Sequence, residues 1–389
     1  MDSNNEVRLS TDIPSESLHH SDVAPTAASK ELGIRPSDQD RPRAGRVVMI
    51  DAIKAISSQL IALHHFCIYG PMADAAWNYA PWAFKWSANN GRLAVQCFLV
   101  MAGFLAAGAM LPENKKTWLP PTMSSLPGTV FQRYLRLAKI YFAGLVAAII
   151  CAAIARALID DPSTPAAPTL ASVAAHIAFA QDLLGIPALS AGAWYVAIDL
   201  QLYATLALIC TASAFVARGA LSARVVAMSA VGALGLCSLL IFNRNAELEI
   251  WGIYFFGSYS LGMCANWASQ AKGMRKWAWL AAMALACTLA LTIQWRSRIA
   301  VSTVTAFILA IRGAHRSTSS GRLSRMTSFL SRISFPLFVL HYPVLMLVGS
   351  LVKVGWGDDP LPNAIGLGVT WVLSMVAANA LSHWLDSKN

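Results

Sequence analysis

The stretch LAKIYFAGLVAAIICAAIARAL (137–158) contains two charged residues, Lys139 and Arg156, each close to one end, and no proline. A helix needs about 20 apolar residues to cross about 30 Å of hydrocarbon, and this block supplies them. A second block, AWYVAIDLQLYATLALICTASAFVA (193–217), is slightly longer and of the same apolar character. In lipid every backbone N–H and C=O needs an internal partner, so helices are the economical solution. The short alternating segments of a membrane barrel are not seen.

Working outward from these two blocks gives ten expected spans: 47–70, 91–111, 137–158, 193–217, 224–242, 250–268, 277–295, 299–313, 328–350 and 363–384. The fold class expected is therefore all-α and integral to the membrane, with about ten transmembrane helices. Composition agrees: 13% of residues are charged and 56% hydrophobic, whereas soluble domains carry about 25% charged residues. Residues 169–188 form a further apolar stretch, but His176, Gln181, Asp182 and Pro187 interrupt it. It reads as an interfacial or re-entrant helix, because a crossing there would break the parity of the spans.

The net charge of +10 is distributed as a membrane protein distributes it, not as a nucleic-acid footprint. Basic residues concentrate in alternate loops: Arg41, Arg43 and Arg46; Lys115, Lys116, Arg133, Arg136 and Lys139; Arg218 and Arg224; Lys272, Arg275 and Lys276; Arg312, Arg316, Arg322 and Arg325. The positive-inside rule puts these loops, and with them both termini, in the cytoplasm. Lys85, Arg92, Arg156, Arg244, Arg296, Arg298 and Lys353 are exceptions. Residues 1–40 are rich in Ser, Pro and acidic side chains, and 1–46 reads as a disordered cytoplasmic tail without a signal peptide. The membrane domain is expected over 47–384 and a short cytoplasmic tail over 385–389. Cysteines 67, 97, 151, 210, 237, 264 and 287 show no C-x-x-C spacing, so neither a metal site nor a disulfide framework is expected.

Ionisable groups inside spans cost about 2.5–3.5 kcal/mol each on insertion scales, which makes each a functional candidate. The first span holds Asp51, Lys54, His64 and His65. Eleven residues separate Lys54 from His65, which at about 100° per residue puts them on one face about 16 Å apart. Asp51, one turn before Lys54, can neutralise it. An imidazole suits a general base, and a lysine at the inner surface suits a phosphate-bearing ligand. The same residues serve equally as a flanking ion pair and as interhelical hydrogen bonds. In WYVAIDLQLY (194–203), Asp199 and Gln201 stand within an apolar run between Trp194 and Tyr203. Asp199 could orient an imidazole or hold a substrate hydroxyl. In FPLFVLHYPVL (335–345), His341 lies between Pro336 and Pro343, either near a cavity or as a packing hydrogen bond.

Taken in order, these segments resemble the acyltransferase-3 family of bacterial membrane acyltransferases. The resemblance rests on DAIKAISSQLIALHHF (51–66), GRLAVQCFLVMAGFL (91–105), RYLRLAKIY (133–141), WYVAIDLQLY (194–203) and ISFPLFVLHYPVL (333–345). Departures are Lys54 where Arg is commoner, Ala94, Ala102 and Lys139, and Asp199–Leu200 at the acidic position. The resemblance implies transfer of an acyl group, often acetyl, from cytoplasmic acyl-coenzyme A to a hydroxyl of an extracytoplasmic glycan or glycolipid. The setting it implies is the bacterial inner membrane, with no permanently bound cofactor. It further implies His65 as the base, Lys54, Arg133 and Arg136 as the coenzyme A phosphate site, and Asp51 as the partner of Lys54. Asp199 is implied in catalysis, with Trp194, Gln201, Tyr203, His64 and His341 around the substrate. A proton-coupled transporter or flippase using the same buried His, Asp and Lys is the competing reading, and a purely structural role for the charges is a third.

Overall fold

The computed structural model describes residues 46–113, 118–217, 219–313, 316–317 and 321–387. Residues 1–45 of the tail expected over 1–46, Lys115, Lys116, Arg218 and the last two residues lie outside the described residues. Among the described residues the regular structure is helical apart from one two-residue antiparallel bridge, β1 (Arg46–Val47) with β2 (Arg316–Ser317).

The first helix, α1 (Val48–Ile68), ends at a turn where Gly70 takes a left-handed φ of 76°. Pro71 then opens α2 (Pro71–Ala76), and Pro81 opens α3 (Pro81–Asn90), both at first-turn positions that need no N–H donor. Next come α4 (Ala94–Met110), α5 (Leu126–Leu158), the short α6 (Leu170–Ile177) and α7 (Ala193–Val216). The chain continues through α8 (Ala220–Leu240), α9 (Gly252–Gln270), α10 (Met274–Ile293) and α11 (Ser297–Arg312). It ends with α12 (Arg322–Arg332), α13 (Ser334–Trp356) and α14 (Pro360–Asp386).

A helix therefore stands at each of the ten expected segments. Among the described residues, seven helical runs are long and apolar enough to cross a membrane: 81–110, 126–158, 193–216, 222–244, 274–293, 334–356 and 360–386. The segments α1, α9 and α11 fall short of that measure, α11 because its 16 residues reach only about 24 Å. The multi-pass membrane architecture stands, with a helix at each of the ten expected segments. The eight residues of α6 cover about 12 Å and cannot cross, in keeping with the expected non-spanning segment.

Two boundaries differ from expectation. The helix expected to begin at 137 begins at Leu126 and runs 33 residues, about 50 Å. Its first three turns, with Arg133 and Arg136, thus extend the apolar rod toward one end of the bundle. The span expected over 328–350 is broken at Ile333, so that α13 starts at Ser334 with Pro336 in its first turn. The preceding α12 is separate and amphipathic. Leu323 and Met326 lie exposed on a stripe that Leu330 continues, with Arg325 on the far side of the helix.

The main core joins α1, α4, α5, α7, α8, α9 and α13. Its tightest crossing is between α4 and α9. A Cβ on Gly103 would fall 1.9 Å from the Tyr259 carbonyl oxygen, and one on Gly262 would fall 1.9 Å from the Val100 oxygen. The two glycines let the backbones touch, which is how membrane helices gain packing without a hydrophobic driving force between them.

Candidate active site

Helix α1 runs from Lys54 near one end of the bundle to His65 near the other. Residues Ile61, His64, His65 and Ile68 recur at helical spacing on one face and line a cavity of about 420 Å³. Helix α13 brings His341 against this face. His65 Nδ1 lies 2.5 Å from His341 Nε2, with the rings within 12° of parallel. His341 Nδ1 lies 2.9 Å from the Leu337 carbonyl, which can only accept. The network then fixes both tautomers: His341 donates from Nδ1 and accepts at Nε2, and His65 donates from Nδ1. The lone pair of His65 Nε2 is left over, on a ring that borders the cavity. Both histidines are buried.

His64 is held differently. Its Nδ1 donates to the Ser87 carbonyl on α3 at 3.0 Å, tying that helix to α1. Gly91 packs on its Cβ, where an added methyl would come within 2.5 Å, so the approach requires a glycine. Trp194 and Tyr69 also border the cavity, and Trp194 packs on Phe255 at 5.7 Å. Gln96, a further wall residue, accepts from Ser258 Oγ at 2.8 Å, and Ser258 is joined to Ser302. Asp182 borders the cavity from the segment after α6. Burial raises its carboxyl above the ordinary 3.8, against a 2.8 Å hydrogen bond from Gln181 and the charge interaction with His176.

A second cavity, of about 290 Å³, lies toward the Lys54 end. Lys54, Arg133, Arg136 and Asp199 line it together with Tyr195, Phe335 and Phe338. Arg133 grips Asp199 through Nε at 2.9 Å and Nη2 at 2.6 and 2.8 Å, and its guanidinium lies 5.2 Å from the centre of the Tyr203 ring. Arg133 Nη1 makes no hydrogen bond among the described residues. Asp51 accepts from Ser331 Oγ at 2.6 Å and acts on Lys54 through its charge from one turn away.

Phe338 borders both cavities. Tyr195 meets it edge-on at 5.4 Å, and Phe98 meets Tyr195 at 6.1 Å. An aromatic wall thus separates a cationic chamber from an imidazole chamber, with α1 running past both.

The sequence-expected residues divide between the chambers. His64, His65, His341 and Trp194 gather at one; Lys54, Arg133, Arg136, Asp199 and Tyr203 gather at the other. Asp199 does not orient an imidazole: its partner is Arg133. Gln201 faces α9, where its Oε1 accepts from the Gly252 N–H at 2.7 Å, and it borders neither cavity. The sequence reading missed Tyr69, Gln96, Asp182, Tyr195, Glu249 and Phe338. Arg92 and Arg298 were visible only as exceptions to the charge rule, and both border the His65 cavity. All seven cysteines are free thiols, with Cys237 exposed and Cys210 and Cys287 buried.

A family model described as an acyltransferase domain matches residues 47–382. No curated protein and no solved structure matches the chain.

Proposed function

The chain belongs to the acyltransferase-3 family of membrane acyltransferases, and from that premise we propose that it carries an acyl group, acetyl in the simplest case, from cytoplasmic acyl-coenzyme A to a hydroxyl of an extracytoplasmic glycan or glycolipid. The setting proposed is the inner membrane of a bacterial cell, with both termini in the cytoplasm. The observation that carries this reading is the pair of chambers meeting at Phe338, one cationic and one holding an imidazole with a spare lone pair.

Coenzyme A is polyanionic, and the cationic chamber suits it. Lys54, Arg136 and the free Nη1 of Arg133 would hold its phosphates, while Asp199 keeps the Arg133 fork oriented. The acylated end of the pantetheine arm would reach past Phe338 toward His65. The acceptor oxygen attacks the thioester carbonyl as His65 Nε2 takes its proton. The resulting imidazolium is stabilised through its Nδ1–H to His341, whose own Nδ1–H is anchored on the Leu337 carbonyl. The tetrahedral intermediate collapses with cleavage of the C–S bond. The thiolate takes the proton back from His65, leaving the ester and free coenzyme A. His341 is a positioning residue in this scheme.

The test is turnover of labelled acetyl-coenzyme A by the purified chain beside His65→Ala, with coenzyme A binding measured in the same preparation. Turnover by wild type and binding without turnover by the variant are expected. If no acyl-coenzyme A is bound or consumed, the reading fails, and movement of a polar substrate through the same chambers becomes the reading to test.

A further inference from the structure

Four arginines that break the positive-inside pattern come together in space. Arg92 precedes α4, Arg244 follows α8, and Arg296 and Arg298 open α11. All four sit at the His65 end of the bundle and line one cavity of about 380 Å³. Among the described residues no Asp or Glu lines it; its other polar walls include Asn89, Asn90 and Gln294. Arg92 and Arg298 also border the His65 cavity, so the two spaces share a wall.

The guanidiniums are fixed more than they are neutralised. Arg296 donates to the Asn243 carbonyl, and Arg244 donates through Nη2 to the Ala290 carbonyl at 3.2 Å. The Nε of Arg244 is buried without a hydrogen-bond partner. Among the described residues Arg298 is the one of the four with a carboxylate partner, Glu249 at 2.6 Å, which borders the neighbouring chamber together with Asp182. Arg92 makes no ion pair among the described residues. Helix capping and packing do not require four such charges, and the membrane disfavours them on this side. Trp295, 70% exposed, stands on the rim and offers a flat apolar face beside the side-chain amides.

We infer that this arginine-lined vestibule is the acceptor subsite and takes a polyhydroxylated acceptor bearing an anionic group, a carboxylate or a phosphate. The arginines hold the anion, Asn89, Asn90 and Gln294 meet hydroxyls, and a neighbouring hydroxyl is delivered to His65 across the shared wall. This inference rests on the acyl-transfer reading above for its purpose, but its binding chemistry can be tested separately.

The test uses the full chain in phosphatidylcholine nanodiscs, with binding of trigalacturonate compared with that of neutral galactotriose. Trigalacturonate should bind about tenfold tighter or better, with the advantage shrinking as salt rises. Arg92→Glu should abolish that advantage and Arg92→Gln should reduce it about fivefold; the second variant keeps the test readable if the charge reversal fails to fold. Nanodiscs containing phosphatidylglycerol identify the source of the anion. If they block trigalacturonate in wild type but not in Arg92→Gln, the anion site stands and a lipid headgroup is its occupant. Equal binding of the two sugars, or a preference that Arg92→Gln leaves untouched, overturns the inference. Because binding is read without acyl-coenzyme A, failure of turnover would strike the acyl-transfer reading alone.

Discussion

His65 and His341, 276 positions apart in the chain, share a hydrogen bond of 2.5 Å that links the first helix to the penultimate one. The Leu337 carbonyl sets the direction of that bond, because it cannot donate. Removing either ring should therefore damage the chemistry in a distinguishable way. His65→Ala should lower kcat by about 10²–10⁴, the range usual for a lost general base. His341→Phe should lower it less and alter the pH–rate profile, because His65 loses its tautomer control. His341→Gln, which keeps an acceptor, should recover part of the loss. Steady-state kinetics across pH checks all three.

The Arg133–Asp199 pair makes a second prediction. Asp199 is buried and Arg133 has 26% of its side chain exposed. Asp199→Ala leaves a largely buried guanidinium unpaired and should cost about 3 kcal/mol, measured by chemical unfolding in detergent. Replacing both partners, Arg133→Met with Asp199→Leu, should recover most of that stability. The double variant should still lose coenzyme A affinity, which separates the structural from the binding role of the pair.

The α4–α9 crossing makes a third. Gly262→Ala puts a methyl where the Val100 carbonyl oxygen stands, and the helices have to part. A loss of about 1–3 kcal/mol is expected for such overpacking, seen as a lower midpoint in the same unfolding measurement. Gly232→Ala, at a position with nothing within 4 Å, is the control and should not lower the midpoint, since alanine is the better helix former.

The segment between α5 and α7 makes a fourth. His176 donates from Nδ1 to the Ser172 carbonyl at 2.7 Å and accepts at Nε2 from the Leu189 N–H at 3.0 Å, so the folded form needs it neutral. Burial lowers its pKa below 6.5, outweighing the Ser172 bond and the charge of Asp182. The unfolded segment then binds the proton more readily than the folded one. Stability is full above 6.5 and declines as pH falls from 6.5 toward the lowered value. Hydrogen exchange at the Leu189 amide, corrected for intrinsic rate, should speed up over that window. In His176→Gln this pH dependence should vanish. Asp182, raised by burial, acts in the opposite sense as it takes up its proton at lower pH.

Much of the bundle could be read from the chain because lipid imposes a local rule: length and hydrophobicity decide where a helix lies. That rule located a helix at all ten segments and kept 169–188 from crossing. It failed at Ile333, where Phe329 and Leu330 at the end of α12 lead into the apolar run of α13 and only the turn divides the two helices. It also could not pair Asp199 with Arg133, since a charge in an apolar run shows that a partner is needed and not which one. The Lys54–His65 spacing was legible as a shared face, but the wall of Phe338, Tyr195 and Phe98 was not. Aromatic residues in a lipid-soluble helix look the same whether they face lipid, core or cavity. Arg92, Arg244, Arg296 and Arg298 were visible singly as departures from a charge pattern, and only folding shows that they share one space.

The backbone contact at Gly103 and Gly262 carries a mechanical consequence. Two helices in such contact cannot slide or tilt separately, so α4 and α9 behave as one post. If Phe338 must swing aside for an acyl group to pass, the motion has to come from α13. There Pro343 has no N–H to offer the Val339 carbonyl, and the rod is softest one turn beyond the wall. The gate and its hinge would then lie on the same helix as His341, so that opening the passage and loosening the imidazole hydrogen-bonded to His65 would be a single movement.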